Sequence, residues 1–207
     1  MKLMSSEAQL LSYTEKRNQL AKLVVARIRS LYAKAEAGDS TSKGQLATLR
    51  RSIFAPYAAD PQVWDLTHVP DGLMPPIRGE RLTHEERVVH AAMCLFARHQ
   101  QSKSDLMHKE GVSFAGAARQ LAFIEGSESE GVRRRMNAAA TAVSFDELVR
   151  HIAALISMMR GANIKLDYYK LVQDLFDYDA AFGRERVRRA WSRDYVSNNL
   201  DKELTDK

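Results

Sequence analysis

Apolar residues fall three and four apart over long stretches of this chain, and no stretch sustains the two-residue alternation of a strand. From Ser6 to Ala37, the positions Leu10, Tyr13, Leu20, Val24, Ile28 and Leu31 line one face of a helix that Gly38 is placed to stop. A second, shorter helix is expected from Ser42 to Ile53, with Leu46, Leu49 and Ile53 on its apolar side and Arg50 and Arg51 beside it. Pro56 ends that pattern.

All five prolines fall between Pro56 and Gly79, which predicts an ordered loop with one short helical turn near Val63 and Trp64. Thr83 and Glu86 have capping-box spacing, in which hydroxyl and carboxylate each satisfy a backbone N–H, so a helix should run from there to about Gln100. Ser113 is placed to cap another through Ile124. The acidic, glycine-bounded segment from Glu125 to Gly131 breaks the chain and sets negative charge at the positive start of a helix spanning Glu128 to Ala142. Ser144 and Glu147 repeat the capping-box spacing ahead of a helix through Arg160 that buries Leu148, Ile152, Leu155, Ile156 and Met159; Gly161 closes it. Asp167 should cap a helix carrying Leu171, Leu175, Tyr178 and Phe182 in step. After Gly183, a last helix points Val187, Ala190, Trp191 and Tyr195 inward, and the tail from Ser197 should fray. The expected fold is all-α, a compact bundle of about eight or nine helices. Two small lobes are expected within it: residues 1–124 with the proline-rich loop 56–79, and residues 125–207 with the basic last helix.

Composition adds an anion-seeking surface. The chain has 207 residues, and its charge is 31 − 26 = +5, with arginines clustered at Arg50–Arg51, Arg133–Arg135 and Arg184–Arg193. Its single cysteine, Cys94, lies in an apolar run and has no intrachain disulfide partner, which fits a reducing cytoplasm. The first residues lack the apolar core of a signal peptide, and no apolar run approaches the ~18 residues needed to span a bilayer, so neither secretion nor a membrane partner is expected.

Catalytic chemistry has little to start from. His84–Glu85 resembles the opening of a zinc helix, but position 88 is Val88, and His90 lies on another face. His68, His99, His108 and His151 are scattered and read as surface or capping groups. Asp174 and Asp177 read as solvated partners of nearby arginines, with Asp179 close by. Cys94, Tyr178, Phe176, Trp191 and Tyr195 read as core, while Tyr57 and Trp64 anchor the proline-rich loop and are the candidate exposed aromatics. No catalytic residue, metal ligand or cofactor is expected.

The arginines are the candidate site. In the last helix, Arg186, Arg189 and Arg193 share one side, with Arg184 and Arg188 flanking the buried stripe, and planar guanidinium forks suit phosphate. A solvated face neutralised by Glu185 and Asp194 is the alternative. Arg133, Arg134 and Arg135 occupy the first turns of their helix, where cations oppose the dipole unless something acidic offsets them. For Arg50 and Arg51, solvent and a bond to backbone or to Asp60 are equally open.

Several segments carry a resemblance in order: Gly44–Arg51 before the proline-rich loop, Phe96–Gln100, Gly111–Phe114, the Arg134–Arg135 helix, and Leu166–Tyr168 through Trp191–Tyr195. From Gly44 to Val196 the chain resembles the CasB-type small subunit of the type I-E CRISPR surveillance complex, Cascade. The resemblance implies a compact helical protein without chemistry of its own, lying as a pair of copies between a large subunit and backbone subunits. Its basic face would hold the displaced DNA strand and support the guide RNA–target heteroduplex. It points to Arg50, Arg51, Arg134, Arg135, Arg184 and Arg186, with Lys103 as a weaker candidate, to which the charge pattern adds Arg133, Arg188, Arg189 and Arg193. A helix-turn-helix regulator is the rival reading, but the turns at Gly161 and Gly183 match it poorly. A helical nuclease would need a ligand set that the sequence lacks.

Overall fold

A computed structural model describes residues 11–57, 59–75, 82–180 and 182–197. Leu10, Pro76, Gly79 and the tail beyond Ser197 lie outside them. Among the described residues there are nine α-helices and no strand: α1 (Tyr13–Glu36), α2 (Ser40–Ser52), α3 (Trp64–Thr67), α4 (His84–His99), α5 (Phe114–Ala122), α6 (Glu130–Thr141), α7 (Phe145–Gly161), α8 (Tyr168–Asp179) and α9 (Arg184–Val196). Two 3₁₀ turns, Pro61–Val63 and Asp71–Leu73, give the proline-rich loop its order.

Side-chain caps set most helix starts. The long first helix begins at Tyr13 because Ser12 and Glu15 close a capping box: Ser12 Oγ accepts from the Glu15 N–H at 3.3 Å, and the Glu15 carboxylate accepts from the Ser12 N–H at 2.9 Å; the expected start at Ser6 lies outside the described residues. Asp39 caps α2, moving its start ahead of the expected Ser42. Thr83 and Glu86 make the expected box on α4. Ser144 makes only half of one, since the Glu147 carboxylate turns back to the Val143 N–H at 2.8 Å. Helix α6 starts at Glu130, which leaves Glu128 outside it.

Helix α4 is the hub, with Val88, Val89 and every residue from Ala91 to Ala97 buried. A helix apolar nearly all round must be covered on every side, and α1, α2, α7 and α8 cover it. Helices α4 and α7 run parallel: Arg87 near the start of one approaches Asp146 near the start of the other, and Arg98 reaches Ser157 near their ends. One buried cluster runs from Leu20 to Trp191, drawing on helices from both sides of residue 125.

Two histidines read as surface or capping groups are buried, and one of them, His108, does bond to a helix start. His99 is fully buried; its Nε2 donates to the Ile164 carbonyl at 2.9 Å, and its Nδ1 lies 3.1 Å from the Tyr168 hydroxyl. Burial pushes it down to about 4, so the ring is neutral at physiological pH. His108 is also buried, with Nδ1 accepting from the Tyr168 N–H at 3.1 Å. Burial likewise makes Cys94 a core thiol, pushed up to about 12.

The turn between α8 and α9 departs from the helical pattern. Phe182, expected on the buried face, is 98% exposed, because α8 ends at Asp179 and the chain turns at Gly183. A Cβ on Gly183 would stand 1.7 Å from the Asp177 carbonyl oxygen, so the close approach of the two backbones requires glycine. Ala190, also expected inward, is exposed; α9 buries only Val187 and Trp191, a one-turn stripe.

Candidate functional site

Cations from α2, α4, α7 and the loop after α4 gather at one end of the hub. Arg50 is partly buried on α2, and its pKa is lowered first by burial and then by the positive charges of Arg51 and Arg160; a guanidinium still stays charged. Arg51 donates to Thr48 Oγ1 at 3.1 Å, Arg98 to Ser157 Oγ at 2.6 Å, Lys103 to the Asn163 side chain, and Arg160 to the Gln101 side chain. These acceptors are all neutral. Among the described residues, none of the five cations pairs with a carboxylate within ion-pair distance, so no direct ion pair offsets their mutual repulsion. A shallow depression beside them is lined by Tyr32, Lys43, Arg50, Gln100 and Lys103, with Glu36 as its one acid. The local reason for the cluster is partly helical. Arg50 and Arg51, Arg98 and Arg160 each occupy the last turn of a helix, where the negative end of the dipole favours cations.

The arginines of α9 do not form a single ridge. Arg186 reaches inward to Asp177 at 2.5 Å, where Arg17 from α1 contributes a second ion pair at 2.8 Å and the Tyr13 hydroxyl a hydrogen bond at 2.9 Å. Asp177 is 4% exposed, so it is a buried hub between α1, α8 and α9 and not the solvated acid that its spacing suggests. Asp174 is likewise engaged, accepting from the Trp191 indole N–H at 2.7 Å, and burial raises its carboxyl to about 7. Arg184 lies over the Tyr178 ring at 5.5 Å, and Arg189 pairs with Glu185 at 3.6 Å. Arg193 is exposed.

Just before α6, Glu128 offsets the basic first turns by pairing with Arg133 at 3.0 Å, and within the helix Arg135 donates to the Gly131 carbonyl. Arg134 is exposed, with no ion pair among the described residues. Arg133 and Arg188 meet across a groove between α5, α6 and α9, together with Arg119. The structure thus brings Arg50, Arg51 and Lys103 together in one place and Arg133 and Arg188 in another, and it ties Arg186 to a third. Arg98, Arg119 and Arg160 complete these groups and were not singled out from sequence; the available signal was a basic residue in a helix's last turn. Among the described residues, no three His, Cys, Asp or Glu side chains are placed to hold a metal ion, and no helix is long and apolar enough to cross a membrane.

Residues 45–195 match the family model for CRISPR-associated protein Cse2. The fold is similar to that of CasB from Thermobifida fusca, with a TM-score of 0.72 and 27% identity over 86% of this chain and 98% of that one. A Cse2-family protein from Thermus thermophilus superposes with a TM-score of 0.61 at 19% identity, covering 84% of this chain and 96% of its own. A chain of a CRISPR RNA-guided surveillance complex gives 0.65 at 21% identity, covering 92% and 99%. At those two identities the likeness speaks for the fold alone. Comparison with curated proteins finds no significant match.

Proposed function

We propose that this chain, which belongs to the CRISPR-associated Cse2 family, is a non-catalytic nucleic-acid-holding subunit of a type I-E Cascade complex in the cytoplasm. It would sit there with the large subunit, the backbone subunits and a second copy of itself, stabilising the guide RNA–target DNA heteroduplex and the displaced DNA strand. The observation that carries this reading is the group Arg50, Arg51, Arg98, Lys103 and Arg160, whose described partners are neutral oxygens. Arg17 and Arg186 find a carboxylate at Asp177, and the lone Arg27 is satisfied by the Leu66 and His68 carbonyls, but here several cations share one end of the bundle. Five clustered cations with no paired carboxylate suit an anion from outside, and a row of phosphates would supply it while releasing counterions. Such contacts read no bases, as befits a complex whose sequence choice lies in guide pairing.

The group takes Arg50, Arg51, Arg98 and Lys103 from the proposed first lobe, residues 1–124, and Arg160 from the second. Phosphate binding there would brace one against the other.

The test is a reconstituted complex carrying Arg50→Ala, Arg51→Ala and Arg160→Ala together. The variant should assemble yet hold the displaced strand less well. For the isolated subunit, the slope of log K against log salt should flatten by ~0.7 for each phosphate of a single strand that the variant no longer neutralises. Unchanged strand protection and an unchanged slope would refute the assignment.

A further inference from the structure

We infer that the groove between α5, α6 and α9 seats one unstacked base of a bound single strand. This rests on the proposal that the protein holds nucleic acid, and it adds a place for a base where the basic group at α2, α4 and α7 offers only phosphate contacts.

The groove encloses about 360 Å3, within the size range of small-ligand sites. Its floor is apolar, formed by Met136, Ala140 and Trp191. One wall is the Phe123 ring, 37% exposed, with the Arg119 guanidinium 4.6 Å from its centroid. Arg119 is fixed there by a 2.8 Å bond to the Tyr195 carbonyl, so a flat aromatic–guanidinium pair stands assembled before any ligand arrives. Bases stack on such surfaces whatever their identity.

The remaining lining suits the rest of a nucleotide. Asn137 and Ser192 offer donors and acceptors to a base edge. Arg188 commits its Nε to the Ala140 carbonyl at 2.5 Å, which leaves its terminal nitrogens to face a phosphate. The one acid of the groove, Glu128, is held by Arg133 at 3.0 Å and by the Tyr195 hydroxyl at 3.1 Å, so the mouth is positive on balance. Arg134 precedes Asn137 by three residues and Arg189 precedes Ser192 by three, which by helix geometry sets both along the outer edges of the groove. A peptide helix would ask for a longer apolar stripe than three floor residues provide.

The test uses the full chain and a short single strand carrying one 5-iodouracil, irradiated after binding, with adducts mapped by mass spectrometry. Adducts should fall on Phe123 or Tyr195. Phe123→Ala should weaken binding of the base-bearing strand about tenfold, while an abasic strand with the same phosphates binds as before. Equal losses on both strands, no loss on either, or adducts elsewhere while binding persists would each overturn the base seat and leave backbone holding intact. Wild-type protein that binds no strand at all would overturn both readings. The adduct map stands even where the substitution harms folding.

Discussion

Arg186 stands 2.5 Å from Asp177, and that ion pair withdraws one arginine of the basic last helix from any external anion. Arg186→Ala should therefore cost about 1 kcal/mol of stability, its side chain being half in solvent, and leave strand binding unchanged. Arg51→Ala should do the reverse. Asp177→Asn removes the charged acceptor from both Arg17 and Arg186 and should cost about 1.5–3 kcal/mol. Thermal melts beside strand titrations separate the two behaviours.

Gly183 admits no side chain. With a Cβ placed 1.7 Å from a backbone oxygen, no rotamer change can make room, so the turn itself must move. Gly183→Ala should destabilise by about 3 kcal/mol or more, read as a lower urea midpoint with an unchanged slope. Gly44→Ala, in the open on α2, should be neutral or slightly stabilising.

Local signals in the sequence were enough for much of this. The box at Thr83 and Glu86 is a four-residue pattern, and the structure makes both of its bonds, at 2.8 and 3.2 Å. The helical period likewise locates Leu148, Ile152, Leu155, Ile156 and Met159 in the core. What failed needed a partner far along the chain. Asp177 meets Arg17 across 160 positions, and His99 meets Tyr168 across 69; periodicity cannot report either. Phe182 misled because its spacing continues past a turn fixed by backbone crowding at Gly183, which no hydrophobic pattern encodes. Arg98 and Arg160 become neighbours of Arg50 and Lys103 only because α4 and α7 run parallel.

His99 gives the fold an acid-sensitive element. The unfolded chain takes up a proton near 6.5, whereas the buried ring resists it down to about 4. Between those values the unfolded state binds more protons, so stability falls as pH drops through that window, by up to about 3 kcal/mol. Urea unfolding of wild type should weaken from pH 7 to pH 4.5. His99→Gln, less stable at pH 7 for its altered bonds, should lose that part of the pH dependence.

Cys94 is fully buried and its thiol is pushed up to about 12, so the thiolate that reacts with disulfide reagents is scarce and shielded. Native protein at pH 8 should resist labelling by Ellman's reagent, and denaturant should release one reactive thiol per chain. Rapid labelling of the folded protein would contradict the packing around α4.

The cations at the end of α4 and α7 have a further meaning for the life of the protein outside its assembly. A solitary copy lacks the counter-charge that the proposed polyanion would supply, so occupancy and resistance to unfolding would rise together. If the chain holds strands as proposed, copies without one would be the softer ones, opened more often and digested first.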